Sequence, residues 1–169
     1  MLHLLRILDI KHWRDGEVVW EASDLPNTLH RTGELYALRG LFATASQDAV
    51  PFYYVGMDNR TDIAVNDTIT SLSGEPTVNG YQRQAVSAAS GFTVTLNESS
   101  GHYEAVSGVL TFTASGGTWG PVLNLFLATS NGNSGLLISS VQMDGTHYVS
   151  NGESLTVRLG VRLWDSSLV

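Results

Sequence analysis

Between residues 81 and 164 short β-forming runs alternate with glycine, serine and asparagine turns, and this rhythm restricts the possible fold more than any other feature. Residues 109–114 show it most clearly. Val109, Thr111 and Thr113 alternate with Leu110, Phe112 and Ala114, so one face is largely apolar and the other carries hydroxyls. Comparable runs cover residues 81–88, 92–97, 102–106, 122–129, 135–142, 146–149 and 154–164. Turn chemistry separates them at Ser90-Gly91, Ser99-Ser100-Gly101, Gly116-Gly117, Gly120-Pro121, Asn131-Gly132-Asn133, Asp144-Gly145 and Asn151-Gly152. Short strands at this spacing predict a mainly β fold, an antiparallel β-sandwich or jelly roll. The last run places Leu155, Val157, Leu159, Val161 and Leu163 on one face and projects Arg158 and Arg162 from the other.

The N-terminal third reads differently. Residues 6–13 and 17–22 form two strands around Asp15-Gly16, a dipeptide suited to the positive φ angles of a two-residue type I′ hairpin. In that register Arg14 faces Glu17 and Trp13 faces Val18. So apolar a hairpin must cover its Leu, Ile and Trp side chains, either on its own domain or on a neighbouring subunit. Ser23-Asp24 offers a helix cap with Pro26 in the first turn, and Leu25, Leu29, Leu35, Leu38 and Phe42 recur at roughly helical spacing. Gly33, inside that helix, costs about 1 kcal/mol relative to alanine, so two short helices are an alternative. Residues 44–50 read as a small-residue loop, 51–57 as an aromatic strand, and 66–72 as a short capped helix stopped by Gly74. The expected division is an arm over residues 1–50 and a β domain over 51–169.

Charged residues make up 15% of the chain, so much of the surface must be covered by uncharged polar groups. Lys11 is the only lysine, set against arginines at 6, 14, 31, 39, 60, 83, 158 and 162. Protein interfaces avoid lysine and accept arginine, whose guanidinium is weakly hydrated and bonds in a plane. A net charge of −7 argues against nucleic acid as a partner. No run approaches the roughly 20 apolar residues of a membrane-spanning helix, and residues 1–9 carry Arg6 and Asp9 and no cleavage site, unlike a signal peptide. Synthesis in the cytoplasm is the expectation. Cysteine is absent, which removes disulfides, thiolate metal sites and a cysteine nucleophile.

No catalytic signature replaces them. The histidines at 3, 12, 30, 102 and 147 lack metal-ligand spacing and read as surface or strand residues. Gly132-Asn133-Ser134-Gly135 is not a nucleophile elbow. Asp58, Asp62 and Asp67 offer at most a loose cation site without the glycine and glutamate of a calcium loop. Glu98 and Glu104 bracket a turn, but a glycosidase needs a cleft around its carboxylates. No enzyme, cofactor or metal is expected.

Gly80-Tyr81-Gln82-Arg83-Gln84, Trp119-Gly120-Pro121-Val122, Leu136-Leu137-Ile138 and Asn151-Gly152-Glu153-Ser154-Leu155 follow one another in the C-terminal half. In these motifs the chain resembles small structural proteins of tailed bacteriophages, labelled minor structural, tail-fibre-like or head decoration proteins. The resemblance implies a non-enzymatic virion component, a decoration or cement protein on the capsid surface whose partners are the major capsid protein and further copies of itself, as a trimer or a dimer. Interface residues expected on this reading are Leu5, Ile7, Trp13, Trp20, Arg83, Trp119, Arg158 and Arg162. Tyr81 and Trp119 suit a sheet edge or interface rim, and Arg83 suits a neighbour's carboxylate or a flat position on either ring, unless it pairs within its own chain. The alternative is a tail or adsorption component that binds host glycan through His102-Tyr103-Glu104 or His147-Tyr148.

Overall fold

A computed structural model describes residues 6–42, 50–99 and 101–162. Its strands are β1 (Arg6–Arg14), β2 (Glu17–Pro26), β3 (Thr28–Leu29), β4 (Phe52–Asp58), β5 (Gln84–Ser87), β6 (Phe92–Asn97), β7 (His102–Ser107), β8 (Leu110–Thr113), β9 (Trp119–Ala128), β10 (Leu137–Val149) and β11 (Ser154–Arg162). Among the described residues there is one α-helix, α1 (Arg31–Phe42), between β3 and β4, and a 3₁₀ turn at Ile69–Ser71 in place of the helix expected over 66–72. The first sheet runs β2-β1-β11-β7-β6, with β8 also paired to β11, and the second runs β3-β10-β9-β4-β5. All described pairings are antiparallel, so the expected β-sandwich is what the chain builds.

The core lies between the sheets. Ile10, Phe112, Leu155, Val157 and Leu159 come from the first, and Val55, Met57, Leu125, Val141 and Val149 from the second. The alternation at residues 109–114 is realised, with Phe112 and Ala114 buried and Thr111 and Thr113 exposed. Strand β9 buries its other face too. Phe126 and Ala128 meet Ile63, Ile69 and Leu137 in a second, smaller cluster, so residues 59–78 form a cover over the outside of the second sheet.

The Asp15-Gly16 turn has both residues at positive φ, 52° and 82°, and pairs Arg14 with Glu17 and Trp13 with Val18 as expected. The hairpin is no projecting arm, however. Strand β1 hydrogen-bonds to β2 on one side and to β11 on the other, from Arg6 opposite Gly160 to Trp13 opposite Ser154. Of the two placements open to its apolar side chains, packing on its own domain is the one adopted.

Two expectations need correction. The helix does not start near Asp24, because Glu17–Pro26 extends β2 along the free edge of β1, and only Arg31–Phe42 is helical. Asp144-Gly145 does not separate two strands either. Strand β10 continues through it, with Gly145 at φ 83° inside a register irregularity between Gln142 and His147 that acts as a bulge. The loop expected at 44–50 falls almost wholly outside the described residues, as do Leu163 and Trp164.

Candidate functional site

Arg83 is the best-connected polar residue outside the core. Asn79 and Gly80 both have positive φ, 56° and 79°, and this turn folds residues 81–83 back toward 75–78. Glu75 and Arg83 meet as a result. Arg83 donates from Nε to Glu75 Oε1 at 2.8 Å and from Nη2 to Glu75 Oε2 at 2.6 Å. Its Nη1 donates to the carbonyls of Ser130 and Gly132, each at 2.9 Å, and the guanidinium carbon lies 5.0 Å from the Phe126 ring centroid. The side chain is 5% exposed. Arg83 is thus not an interface arginine waiting for a neighbour's carboxylate; its own Glu75 fills that role.

Hydrogen bonds tie the surrounding frame together. Tyr81 donates from its hydroxyl to Glu75 Oε1 at 2.9 Å and accepts from Met57 N at 2.7 Å. Burial, helped by the Glu75 charge, pushes the Tyr81 hydroxyl well above its ordinary pKa. Asp58, fully buried, accepts from Gly74 N at 3.0 Å and from Arg60 N at 2.9 Å. Arg60 also contacts Asp67 at 3.2 Å, so Asp58 and Asp67 share a guanidinium where the sequence suggested a loose cation site. Among the described residues no cluster of acidic and histidine side chains is arranged to hold a metal.

Two clefts flank the stretch from Ser73 to Thr77. The larger, about 380 Å³, opens over Arg83 toward Asn131 and Asn133. The smaller, about 250 Å³, lies toward Asn59 and Pro121.

The other expected interface residues are scattered. Leu5 lies outside the described residues. Ile7 and Trp119 are core residues, 3% and 2% exposed, and Trp119 packs edge-on against Tyr81 at 5.5 Å. The aromatic rim assigned to Trp119 is therefore interior, because the strand begins at Trp119 and not at Val122. Trp13, half-buried, donates from Nε1 to Thr156 Oγ1 at 2.9 Å. Trp20 covers the His147 ring at 4.0 Å. Arg158 pairs with Asp9, and Arg162 pairs with Glu104 at 2.6 Å and Asp24 at 3.3 Å. Both guanidinium groups serve contacts within the chain, and Glu104 faces Arg162, not Glu98.

Histidines contribute more than the sequence suggested. His12, His30 and His147 are buried; His12 and His147 are the strand residues that the sequence allowed, on β1 and β10, whereas His30 lies between β3 and α1. His12 Nε2 lies 2.8 Å from Glu153 Oε2, and Glu153 also accepts from Ser150 N at 3.0 Å and from Arg14. Burial alone would raise the Glu153 carboxyl, but these hydrogen bonds and the Arg14 charge outweigh it and hold the pKa at about 2. His30 Nε2 sits 2.9 Å from Ser140 Oγ, and burial lowers its pKa. His147 is lowered by burial too, with His12 acting in the same direction.

Sequence reasoning missed where the apolar surface would appear. Helix α1 turns Thr32, Gly33, Tyr36 and Ala37 toward its own domain, and Tyr36 reaches Tyr53 with hydroxyl oxygens 3.0 Å apart. A Cβ on Gly33 would lie 2.1 Å from the Ile138 carbonyl oxygen, so glycine lets the helix lie directly on β10. The apolar residues that recur at helical spacing within α1 point the other way. Leu35, Leu38 and Phe42 are 48%, 50% and 80% exposed. A second apolar patch lies on the β6–β7 hairpin, where Val94, Leu96 and Tyr103 continue the side of Phe92 past the cover of the second sheet.

No helix among the described residues is long and apolar enough to cross a membrane. No protein-family model matches this chain, and no curated protein matches it in sequence.

Proposed function

We propose that this chain is a non-enzymatic structural protein of a tailed-bacteriophage virion, a decoration or cement protein that docks on the major capsid protein. The observation that carries this reading is the outward stripe of α1. Leu35, Leu38 and Phe42 hold apolar side chains in water while Gly33 and Tyr36 fix the helix to the sandwich. Exposed apolar area grouped on one rigid element is the mark of a surface meant to be covered by protein. Each square ångström covered contributes about 25 cal/mol.

Three of the arginines support the same reading by being occupied. Arg83, Arg158 and Arg162 each bond a carboxylate of their own chain, which leaves apolar contact as the chief means of docking. Many modest contacts add up when copies act together, so a homo-oligomer presenting several α1 faces holds a lattice more firmly than one copy does.

Co-sedimentation with capsids lacking this protein tests the reading. Leu35→Gln, Leu38→Gln and Phe42→Gln together remove the apolar stripe while keeping side chains that suit a helix. The wild type is expected to pellet with the particles and the triple variant to stay in the supernatant with unchanged circular dichroism. Equal pelleting of both would overturn docking through α1.

A further inference from the structure

We propose that the larger cleft, between residues 72–77 and 130–133, is a binding site for a neutral oligosaccharide. This inference does not rest on the virion reading, and it places recognition away from Tyr103 and Tyr148.

The first argument is how the cleft is built. Arg83 braces both walls at once, clamping Glu75 on one side through Nε and Nη2 and the Ser130 and Gly132 carbonyls on the other through Nη1. Asp58 fixes the near wall through Gly74 N, and Ser130 Oγ accepts from Gly132 N at 3.1 Å to tighten the far one. A cleft held open this way loses little entropy on binding, which matters for a weak, polar ligand. Its volume, about 380 Å³, falls at the lower end of the range typical of small-molecule sites.

The second argument is the chemistry of the lining. Gln82, Asn131 and Asn133 reach the cleft from exposed positions, and among the described residues their side-chain amides make no hydrogen bond. An amide offers two donors and an acceptor with two lone pairs, a set that matches adjacent hydroxyls, each of which both donates and accepts. Ser73 and Thr77 add hydroxyls of the same character. Leu72 and Pro76 supply the apolar surface that the C–H face of a pyranose ring can cover.

Charge decides the ligand class. Among the described residues, Glu75 and Arg83 are the cleft's only ionisable groups besides the phenol of Tyr81, and they neutralise one another in a two-point pair. An anionic or cationic ligand would have to break that pair to gain a partner, whereas a neutral polyol leaves it intact. Nucleotides and acidic glycans are disfavoured on this ground.

The test is a titration of the ¹⁵N-labelled full chain followed by NMR. Probes are maltotriose, mannotriose, lactose and tri-N-acetylchitotriose, each at millimolar concentration, with sialyllactose as the charged control. At least one neutral probe is expected to shift the backbone or side-chain amides of Gln82, Asn131 and Asn133, and sialyllactose to shift them less. The double variant Asn131→Ala, Asn133→Ala lies in exposed loop positions, and its loss of two amide contacts is expected to weaken binding roughly tenfold or more. No shift with any neutral probe, shifts centred on Tyr103 or Tyr148, or binding unchanged in the double variant would each overturn the proposal.

Discussion

Arg83 holds Glu75 through two parallel hydrogen bonds, Nε to Oε1 at 2.8 Å and Nη2 to Oε2 at 2.6 Å, across a turn made by Asn79 and Gly80. Removing Glu75 leaves the buried Arg83 guanidinium without its carboxylate. Glu75→Ala is expected to destabilise the fold by about 3–5 kcal/mol, while the double variant Glu75→Met, Arg83→Met loses much less. Urea denaturation of the three proteins checks this; equal losses in single and double variants would show that the pair is not the relevant unit.

The two glycines of α1 should respond to alanine with opposite signs. Gly40 has nothing within 4 Å of an added Cβ, so Gly40→Ala should stabilise by up to about 1 kcal/mol. Gly33→Ala gains the same propensity but drives its methyl to 2.1 Å from the Ile138 carbonyl oxygen, so a net loss is expected. Thermal melting of both variants measures the difference.

Much of the fold was legible because its signals are local. Asp15-Gly16 specified its own hairpin register, and the alternation of residues 109–114 specified which face is buried. What failed depended on distant partners. Leu25 and Leu29 have helical spacing, but Leu25 lies opposite Ile7 at the edge of β1, and that pairing overrides the periodicity. The Glu75–Arg83 pair was half legible, since Asn79-Gly80 stands almost midway between them and marks a turn that brings them together. His12 and Glu153 are 141 positions apart, and no pattern in the sequence joins them. The outward direction of Leu35, Leu38 and Phe42 was hidden for a related reason: Gly33, read as a weak point, is the contact that sets the helix's inward face.

Acid should destabilise this protein in two stages. His30 and His147 have lowered pKa values when folded, so the unfolded chain binds more protons as pH falls below its histidine pKa of about 6.5. Their contribution is present above pH 6.5 and is lost below it. Glu153, held at about 2 against an ordinary 4.5, adds a second loss as pH falls from 4.5 toward 2. Chemical denaturation at a series of pH values should show stability falling from neutral pH downward, and Glu153→Gln should flatten the lower stage.

Deleting residues 1–22 should abolish folding. The deletion removes β1, which pairs with both β2 and β11, and takes Ile7 and Ile10 out of the core. Loss of the dispersed amide spectrum is the expected result; a dispersed spectrum would mean that the remaining strands close without it.

The most direct measurement for the proposed virion role is the copy number of this chain relative to the major capsid protein in purified virions of the phage proposed to carry it, by quantitative mass spectrometry. A capsid-wide decoration protein gives a ratio approaching one to one. A ratio of a few per cent would contradict that role and move the chain to the tail or a vertex, and its absence from the particles would contradict a structural role altogether.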